Sequence, residues 1–283
     1  MKVLVTGAEG QLGRLLARTA PAGAAVTALG RVGLDIGDPD AVQAKVRALS
    51  PALIINAAPY TAVDKAESEP ELAARVNATG PRNLAVAARA AGARLVHVST
   101  DFVFDGLAGS PYRVDAATHP LGVYGRTKRD GELAVLEELP DRSLVVRTAW
   151  VYAAEGRNFM HTMLRLMRER GTVRVVADQV GSPTSAQALA AALWQLAGAG
   201  VTGVQHWTDA GVASWYDFAV AIAEEAAALG LLPAGVAVTP IGTADYPTPA
   251  RRPAYSVLDK SSLPAGLAPA HWRQELRAVL KEI

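Results

Sequence analysis

The first thirteen residues constrain the fold more than any other part of this 283-residue chain. Residues 2–6 form an apolar, β-branched run that predicts a short strand, and residues 7–13 (GAEGQLG) lead directly into an apolar helical pattern. A strand, a tight glycine turn and a helix start allow a pyrophosphate to approach the backbone and meet outward-facing amide groups. The spacing is Gly-x-x-Gly-x-x-Gly, not Gly-x-Gly-x-x-Gly. We therefore expect dinucleotide binding here, with a glycine-rich turn in another α/β fold as the alternative.

The rest of the first half alternates between two patterns. Apolar runs predict strands at residues 2–6, 24–29, 53–57, 94–100 and 143–148, and helical periodicity predicts helices at 38–49, 69–91 and 127–138. This alternation predicts an α/β fold with a Rossmann-type, doubly wound parallel sheet. We expect residues 1–150 to form an NADP(H)-binding domain. We expect residues 151–283 to form a smaller, irregular substrate-binding lobe, with residues 184–198 packing back on the first domain.

The second half carries weaker signals. Helices are predicted at residues 159–170, from Ser214 onward and from about 271, with Asp217 placed to complete a capping box with Ser214. Short strands are predicted at 173–176 and 204–207. The proline-rich residues 239–253 predict a long connection.

Composition excludes several classes of protein. A net charge of +1 without a long basic run gives no footprint for a nucleic acid polymer, and no run of 18 apolar residues predicts a membrane span. The chain has no cysteine, and its five histidines show no metal-ligand spacing, so we expect no bound metal. Because the predicted strand starts at residue 2 and leaves no room for a signal peptide, we expect a cytoplasmic protein, either a monomer or a homodimer.

A Ser-Thr-Asp segment and a Tyr-x-x-x-Lys pair predict the chemistry. Ser99, Thr100 and Asp101 end a predicted strand, and Tyr124 and Lys128 follow with a spacing that puts both on one helix face. An ammonium beside a phenol lowers its pKa of roughly 10, so that tyrosine can exchange a proton with a carbonyl or alcohol oxygen. Because Tyr-x-x-x-Lys also arises by chance on solvated helices, the pair indicates catalysis only together with the preceding segment.

The second predicted strand ends at Arg31, where an acidic residue would favour NAD by binding the ribose 2′-hydroxyl. Arg31 is suited to a 2′-phosphate, so we expect NADPH. Asp35 keeps NADH possible, and an Arg31 that stacks on adenine or points to solvent is the alternative. Small residues at 56–60 (NAAPY) end the third strand and allow close approach of a cofactor.

Several segments, taken together and in order, carry a family resemblance. They are residues 7–13, 56–67 (NAAPYTAVDKAE), 99–106 (STDFVFDG), 124–128 (YGRTK), 147–152 (RTAWVY), 158–159, 178–184 and 246–253 (YPTPARRP). In these segments the chain resembles the extended short-chain dehydrogenases/reductases and, within them, the dTDP-4-dehydrorhamnose reductase family. The resemblance covers nearly the whole chain.

The resemblance implies NADPH-dependent reduction of the C4 keto group of dTDP-4-dehydro-β-L-rhamnose to dTDP-β-L-rhamnose, the last step towards a sugar donor for cell-surface polysaccharide. It implies that Tyr124 protonates the forming alkoxide, Lys128 holds the nicotinamide ribose and lowers the tyrosine pKa, and Thr100 binds the keto oxygen. The implied cofactor residues are Gly7, Gly10, Gln11, Leu12, Arg31, Asp35, Ile36, Ala57, Ala58, Tyr60, Tyr124 and Lys128. The implied substrate residues are Thr61, Val63, Thr100, Asp101, Phe102, Trp150, Asn158, Gln179, Arg251 and Arg252.

The chain departs from the family pattern in two places. Phe102 stands where many relatives have tyrosine, which leaves fine substrate preference open. The first helix lacks the acidic residue through which some relatives dimerise around a metal ion, so we do not expect a need for Mg²⁺. The alternatives are another nucleotide-sugar 4-ketoreductase of a deoxysugar pathway and a non-catalytic, NADP-binding regulatory subunit.

Overall fold

A computed structural model describes all 283 residues. The strands are β1 Lys2–Thr6, β2 Ala25–Leu29, β3 Leu53–Asn56, β4 Arg94–Thr100, β5 Ser143–Thr148, β6 Val151–Tyr152, β7 Thr172–Val176, β8 Val180–Gly181, β9 Thr184–Ser185, β10 Gly203–His206, β11 Ala213–Ser214 and β12 Ala237–Ile241. The α-helices are α1 Gln11–Arg18, α2 Pro39–Leu49, α3 Val63–Ala66, α4 Pro70–Ala74, α5 Gly80–Ala91, α6 Val123–Glu138, α7 Phe159–Arg170, α8 Ala186–Gly198, α9 Trp215–Ala228 and α10 Trp272–Leu280.

A six-stranded parallel sheet forms the centre of the molecule, with the strand order β10-β5-β4-β3-β1-β2. The five strands predicted in the first half all belong to it, and the predicted doubly wound α/β fold is confirmed. The strand order reverses beside β1, and the carboxyl ends of β1 and β3 lie next to each other there. In open α/β sheets such a reversal leaves a crevice for a ligand.

The sixth strand, β10, comes from beyond residue 150 and pairs with β5. Helix α8 also follows residue 150, and its buried residues join the apolar cluster that covers one face of the sheet together with α1. Helices α2, α5 and α6 cover the other face. The sheet therefore extends past the boundary at residue 150 that we expected for the first domain.

The predicted helix at 69–91 contains a local irregularity. A π-helical turn, Arg75–Thr79, separates α4 from α5 and turns Asn77 inwards, where its side chain is buried. The Asn77 amide accepts a hydrogen bond from the Tyr60 backbone N–H at 2.9 Å and donates one to the Tyr60 carbonyl at 3.1 Å. This pair of bonds holds the loop that follows β3 against the π-helical turn.

The remaining residues form a second lobe with its own apolar core. Helices α7, α9 and α10 and strand β7 contribute most of its buried side chains. Helix α9 begins at the predicted N-cap, where Ser214 and Asp217 form a capping box. The predicted connection at 239–253 is wrong at its start, because β12 pairs in parallel with β7. Pro240 argues against a strand in the sequence. In the structure it lies in a two-stranded sheet, where an edge position tolerates its missing N–H.

None of the helices has both the length and the apolar character needed to cross a membrane.

Candidate active site

A cleft with a volume of about 700 Å³ opens at the carboxyl edge of the main sheet, between the sheet and the second lobe. The glycine turn and the ends of β2 and β3 line one end of it, which we call the cofactor end. Residues from β4, α6, β5 and the second lobe line the other, which we call the sugar end.

The glycine turn at the cofactor end is shaped by backbone packing. Gly7 has a φ of 75°, and a Cβ there would overlap the carbonyl oxygen of Ala57, so no other residue fits. Gly10, the N-cap residue before α1, offers no side chain to cap the helix, and the first turn contains no acidic residue. The amide groups at the helix start are therefore free to bind an anion, which fits the diphosphate of a dinucleotide.

The second lobe closes over this turn through a loop at residues 153–158. The Asn158 amide donates to Gln11 Oε1 at 2.8 Å and to the Ala153 carbonyl at 2.8 Å, and it also caps α7. Arg18 donates to Glu155 at 3.1 Å on the outer side of the loop. These contacts bring Arg157, a residue that the sequence analysis did not select, to the edge of the cleft near Gln11.

The two charged residues expected near the adenosine differ in their pairing. Asp35 accepts a hydrogen bond from Arg75 at 2.6 Å and another from the Gly37 backbone at 2.9 Å, so its charge is compensated. Arg31 is exposed at the end of β2 and forms no ion pair. Of these two residues, only Arg31 has its charge free to bind a ligand, which favours a 2′-phosphate over a 2′-hydroxyl.

Thr100 and Asp101 follow the end of β4 and face the sugar end. The Thr100 hydroxyl donates to Asp101 Oδ1 at 3.0 Å and accepts from the Phe102 backbone at 3.2 Å. Asp101 is only 2% exposed, and its Oδ2 has no hydrogen-bond partner. Burial raises the pKa of Asp101 to about 6, although the hydrogen bond from Thr100 opposes the shift.

Tyr124 and Lys128 lie on the inner face of α6 and both line the cleft. Burial raises the pKa of Tyr124 to about 12, although a hydrogen bond with Thr100 partly offsets it. The expected lowering of this pKa by Lys128 is not seen, because Lys128 is not among the groups that shift it and its side chain is directed elsewhere. Its Nζ donates to the Val98 carbonyl at 2.6 Å, and burial lowers the pKa of Lys128 to about 8.

Two stacked tryptophans form a wall of the sugar end. Trp150 has a φ of 48°, an uncommon value for a bulky residue, and its ring lies 3.6 Å from the Trp215 ring at an interplanar angle of 7°. Gly181 is required next to Trp150, since a Cβ there would lie 2.7 Å from Trp150 Cε2. Trp215 was missed in the sequence because it reads as an apolar residue in the first turn of a capped helix.

The far side of the sugar end is held by an ion pair between distant segments. Arg252 donates to both oxygens of Asp64, at 3.0 and 2.9 Å, and to Thr248 at 2.6 Å. This guanidinium lowers the pKa of Asp64. The pair ties the proline-rich segment to α3, so that Arg252 reaches the cleft.

The structure brings most of the predicted site residues into the cleft. Those that line it are Gly7, Gly10, Gln11, Leu12, Arg31, Asp35, Ile36, Ala57, Ala58, Tyr60, Thr61, Val63, Thr100, Asp101, Phe102, Tyr124, Lys128, Trp150 and Arg252. Asn158, Gln179 and Arg251 do not line it: the Gln179 amide donates to Thr243 at 3.0 Å, and Arg251 is exposed.

Comparison with known proteins agrees with this geometry. The model of the family described as "RmlD substrate binding domain" matches residues 1–283. The dTDP-4-dehydrorhamnose reductase of Streptomyces griseus is 51% identical, and the match covers 96% of this chain and 91% of the relative. A probable dTDP-4,6-dihydroxy-2-methyloxan-3-one 4-ketoreductase of Streptomyces antibioticus is 44% identical over 100% of this chain and 96% of its own.

A solved structure adds the cofactor to this comparison. The dTDP-4-dehydrorhamnose reductase of Bacillus anthracis in complex with NADP superposes with a TM-score of 0.94 at 36% identity. The superposition covers 100% of this chain and 99% of that one. With its dinucleotide cleft, its Thr-Tyr-Lys set and a full-length family match, the chain belongs to the dTDP-4-dehydrorhamnose reductase family within the extended short-chain dehydrogenases/reductases.

Proposed function

We propose that this protein is an NADPH-dependent oxidoreductase that reduces the C4 keto group of dTDP-4-dehydro-β-L-rhamnose to give dTDP-β-L-rhamnose. The observation that carries the proposal is the position of Thr100, Tyr124 and Lys128 in one cleft, between a dinucleotide turn and an aromatic wall. This arrangement offers proton donors to a carbonyl oxygen beside a bound nicotinamide.

The cofactor end has the groups that NADPH requires. The free amides at the start of α1 suit the diphosphate, and Arg31 suits the 2′-phosphate. Arg157 adds a second guanidinium near the turn, contributed by the other lobe. Bound NADPH supplies the hydride for the reduction. The remaining work, which is to orient the sugar and to deliver a proton, falls to side chains of this chain.

Tyr124 is the proton donor in this proposal. A pKa of about 12 keeps its phenol protonated before reaction, so that it can donate to the sugar C4 oxygen as negative charge develops there. The Thr100 hydroxyl, which donates to Asp101 Oδ1 in this structure, becomes the second donor to the same oxygen by turning away from Asp101. After the transfer a phenolate remains in a desolvated site, where the Lys128 ammonium stabilises it.

The sugar nucleotide is oriented by contacts at the sugar end. Trp150 and Trp215, which are stacked and both line the cleft, together offer an apolar aromatic surface to the hexose. Arg252, which is paired with Asp64 and lines the cleft, is the guanidinium that we expect to bind the nucleotide diphosphate. Asn158, Gln179 and Arg251 would act on the nucleotide only if the lobes or loops move on binding.

A second candidate is reduction of another 4-keto sugar nucleotide, and the similarity to the Streptomyces antibioticus ketoreductase favours it specifically. Such a reaction would use the same proton donors. The sugar end would then accept a substrate with a different pattern of hydroxyl groups, and Phe102, which packs edge-on against Tyr124 at 5.5 Å, is the departure that bears on this choice.

The test is NADPH oxidation by the purified protein with enzymatically generated dTDP-4-dehydrorhamnose, followed by NMR of the sugar product, with NADH run in parallel. We expect dTDP-β-L-rhamnose and a faster rate with NADPH. Turnover only of other 4-keto sugar nucleotides would support the second candidate. Cofactor binding without turnover of any of these sugars would contradict an enzymatic role and favour a regulatory subunit.

We further propose that the protein acts in the cytoplasm, where sugar nucleotides and NADPH are available, as a monomer or a homodimer. Cell fractionation and light scattering of the purified protein test these two statements separately.

A further inference from the structure

A buried polar row runs beneath the cofactor end and reaches the catalytic lysine. Thr6, Asn56 and His97 are neighbours in register on β1, β3 and β4. The row ends at Lys128 on α6, whose Nζ lies 3.4 Å from His97 Nε2. All four side chains are 2% exposed or less. The proposed reaction assigns no role to Asn56 or His97.

The orientation of the Asn56 amide is fixed by its neighbours. Its Oδ1 accepts from the Thr6 hydroxyl at 2.8 Å and from the Ala58 backbone N–H at 3.2 Å. A backbone N–H can only donate, so the atom facing it must be the oxygen. The Asn56 nitrogen therefore faces His97 and donates to it.

This amide in turn determines the tautomer of His97. Asn56 Nδ2 lies 3.1 Å from His97 Nδ1, which must accept and therefore carries no proton. A neutral imidazole then carries its proton on Nε2. A doubly protonated ring would turn a second donor toward Asn56, and burial also lowers the pKa of His97 well below its usual value.

The tautomer of His97 affects the protonation state of Lys128. His97 directs an N–H at Lys128 Nζ, and an ammonium has no lone pair to accept it. An amine does have one, and it can still donate to the Val98 carbonyl. The buried polar row therefore favours the uncharged form of Lys128.

The surrounding charges do not reverse this preference. Glu132, one turn further along α6, is the anion that raises the lysine pKa, but Arg147 on β5 binds it bidentately at 2.7 to 3.1 Å. Asp101, with a pKa of about 6, is mostly ionised at neutral pH, but it is not among the groups that shift the pKa of Lys128, and Tyr124 is uncharged. No unpaired carboxylate of α6, β4 or β5 contacts the ammonium.

We propose that Asn56 and His97 are positioning residues: they hold the tautomer that makes Lys128 release its proton readily in the free enzyme, and binding of the anionic dinucleotide returns that proton. The inference rests on the proposed binding of NADPH. A proton from solvent joins the lysine amine to form the ammonium, which then stabilises the phenolate of Tyr124 during turnover. The low pKa of Lys128, about 8, agrees with this arrangement.

Calorimetry of NADPH binding tests the proposal, because titrations in two buffers with different ionisation enthalpies count the protons taken up. At about pH 8.5 the free enzyme holds Lys128 mostly as the amine, so we expect uptake of more than half a proton per NADPH. Binding without net proton uptake would overturn the inference and leave the proposed function standing. If no NADPH binds at all, both fail.

Two variants test whether the proton taken up with NADPH depends on the buried polar row. In Asn56→Asp, a carboxylate accepts from His97 Nδ1–H, which moves the free lone pair to Nε2 and favours the ammonium. In His97→Gln, a carbonyl oxygen can face the ammonium directly. We expect both variants to lose most of the uptake and to shift the alkaline limb of kcat/KM to higher pH. Lower activity with unchanged uptake and an unchanged pH profile would mean a merely structural role.

Three further proteins serve as controls. Lys128→Met should bind NADPH without proton uptake, and this result is available even if the Asn56 variant does not fold. His161→Gln, which changes a histidine of α7 outside the cleft, should keep the wild-type uptake. Asp101→Asn should keep it too. Loss of uptake in Asp101→Asn would assign the proton to that carboxyl group and overturn the proposal.

Discussion

The two ends of the cleft are built in different ways. The cofactor end consists mainly of backbone and small side chains from the first sixty residues, arranged around the Gly7 turn and the ends of β1 to β3. The sugar end depends on side-chain contacts between distant segments, such as Trp150 with Trp215 and Asp64 with Arg252. Dinucleotide binding is thus a property of local sequence, whereas substrate choice depends on how the second lobe docks.

The two ends also differ in their electrostatics. At the cofactor end, Arg31 is an unpaired cation in contact with solvent. At the sugar end, Asp101 and Tyr124 are buried polar groups whose pKa values rise because burial disfavours their charged forms. Changes at the cofactor end should therefore alter affinity, and changes at the sugar end should alter turnover and stability.

The largest effect should come from Tyr124→Phe, which removes the proposed proton donor. We expect kcat to fall by about 10²-fold or more, the usual scale for losing a general acid, with little change in NADPH affinity. Steady-state kinetics and a cofactor titration check both parts. Tyr216→Phe, on α9 outside the cleft, is the matched control. Wild-type turnover in Tyr124→Phe would show that another group donates the proton.

Asp101→Asn should change the free energy of unfolding in a way that depends on pH. The folded-state pKa of Asp101 lies above its unfolded value, so this carboxyl group costs stability progressively as the pH rises from about 4 to about 6, and in full above that range. We expect the variant to be more stable than wild type by about 2 kcal/mol at pH 8, and to lose that advantage at about pH 4. Urea unfolding at both pH values measures this. If the variant and wild type differed in stability by the same amount at both pH values, the buried carboxylate would be ruled out as the cause of the difference.

Arg252→Ala tests the contact between distant segments. We expect KM for the sugar nucleotide to rise about tenfold, since both a cation in the cleft and the tie to Asp64 are lost. Arg251→Ala, in an adjacent and exposed position, should change KM much less. The reverse order would show that Arg251 turns into the cleft when substrate binds.

The smallest effect is expected at the cofactor end. Arg31→Ala should weaken NADPH binding about five- to tenfold and NADH binding hardly at all, because one exposed charge-assisted contact to the 2′-phosphate is removed. Fluorescence titration with both cofactors measures the two losses. Equal losses would indicate that Arg31 contacts a part that both cofactors share.

The sheet was predictable from sequence because its inner strands, β1, β3, β4 and β5, are largely buried and appear as apolar runs. β12 was not predictable, since Pro240 argues against a strand unless the edge position is known. The π-helical turn at Arg75–Thr79 was also missed, because it depends on Asn77 bonding to the Tyr60 loop rather than on local periodicity.

The candidate site shows the same division. The glycine turn, Thr100, Tyr124 and Lys128 could be selected because each belongs to a short motif with its own chemistry. Trp215 and Arg157 could not, because only the docking of the second lobe brings them to the cleft. The high pKa of Tyr124 was likewise beyond reach, since burial, and not the lysine spacing, sets it in the protein without cofactor.

The most direct test of the account is a single turnover with NADPH that carries deuterium at the transferring C4 position and with dTDP-4-dehydrorhamnose as acceptor. We predict that NMR will find the deuterium on C4 of the sugar in dTDP-β-L-rhamnose, and that Tyr124→Phe will slow its appearance by about 10²-fold or more. Deuterium at another carbon, or oxidation of NADPH without deuterium in the sugar, would contradict direct reduction of the C4 keto group in this cleft.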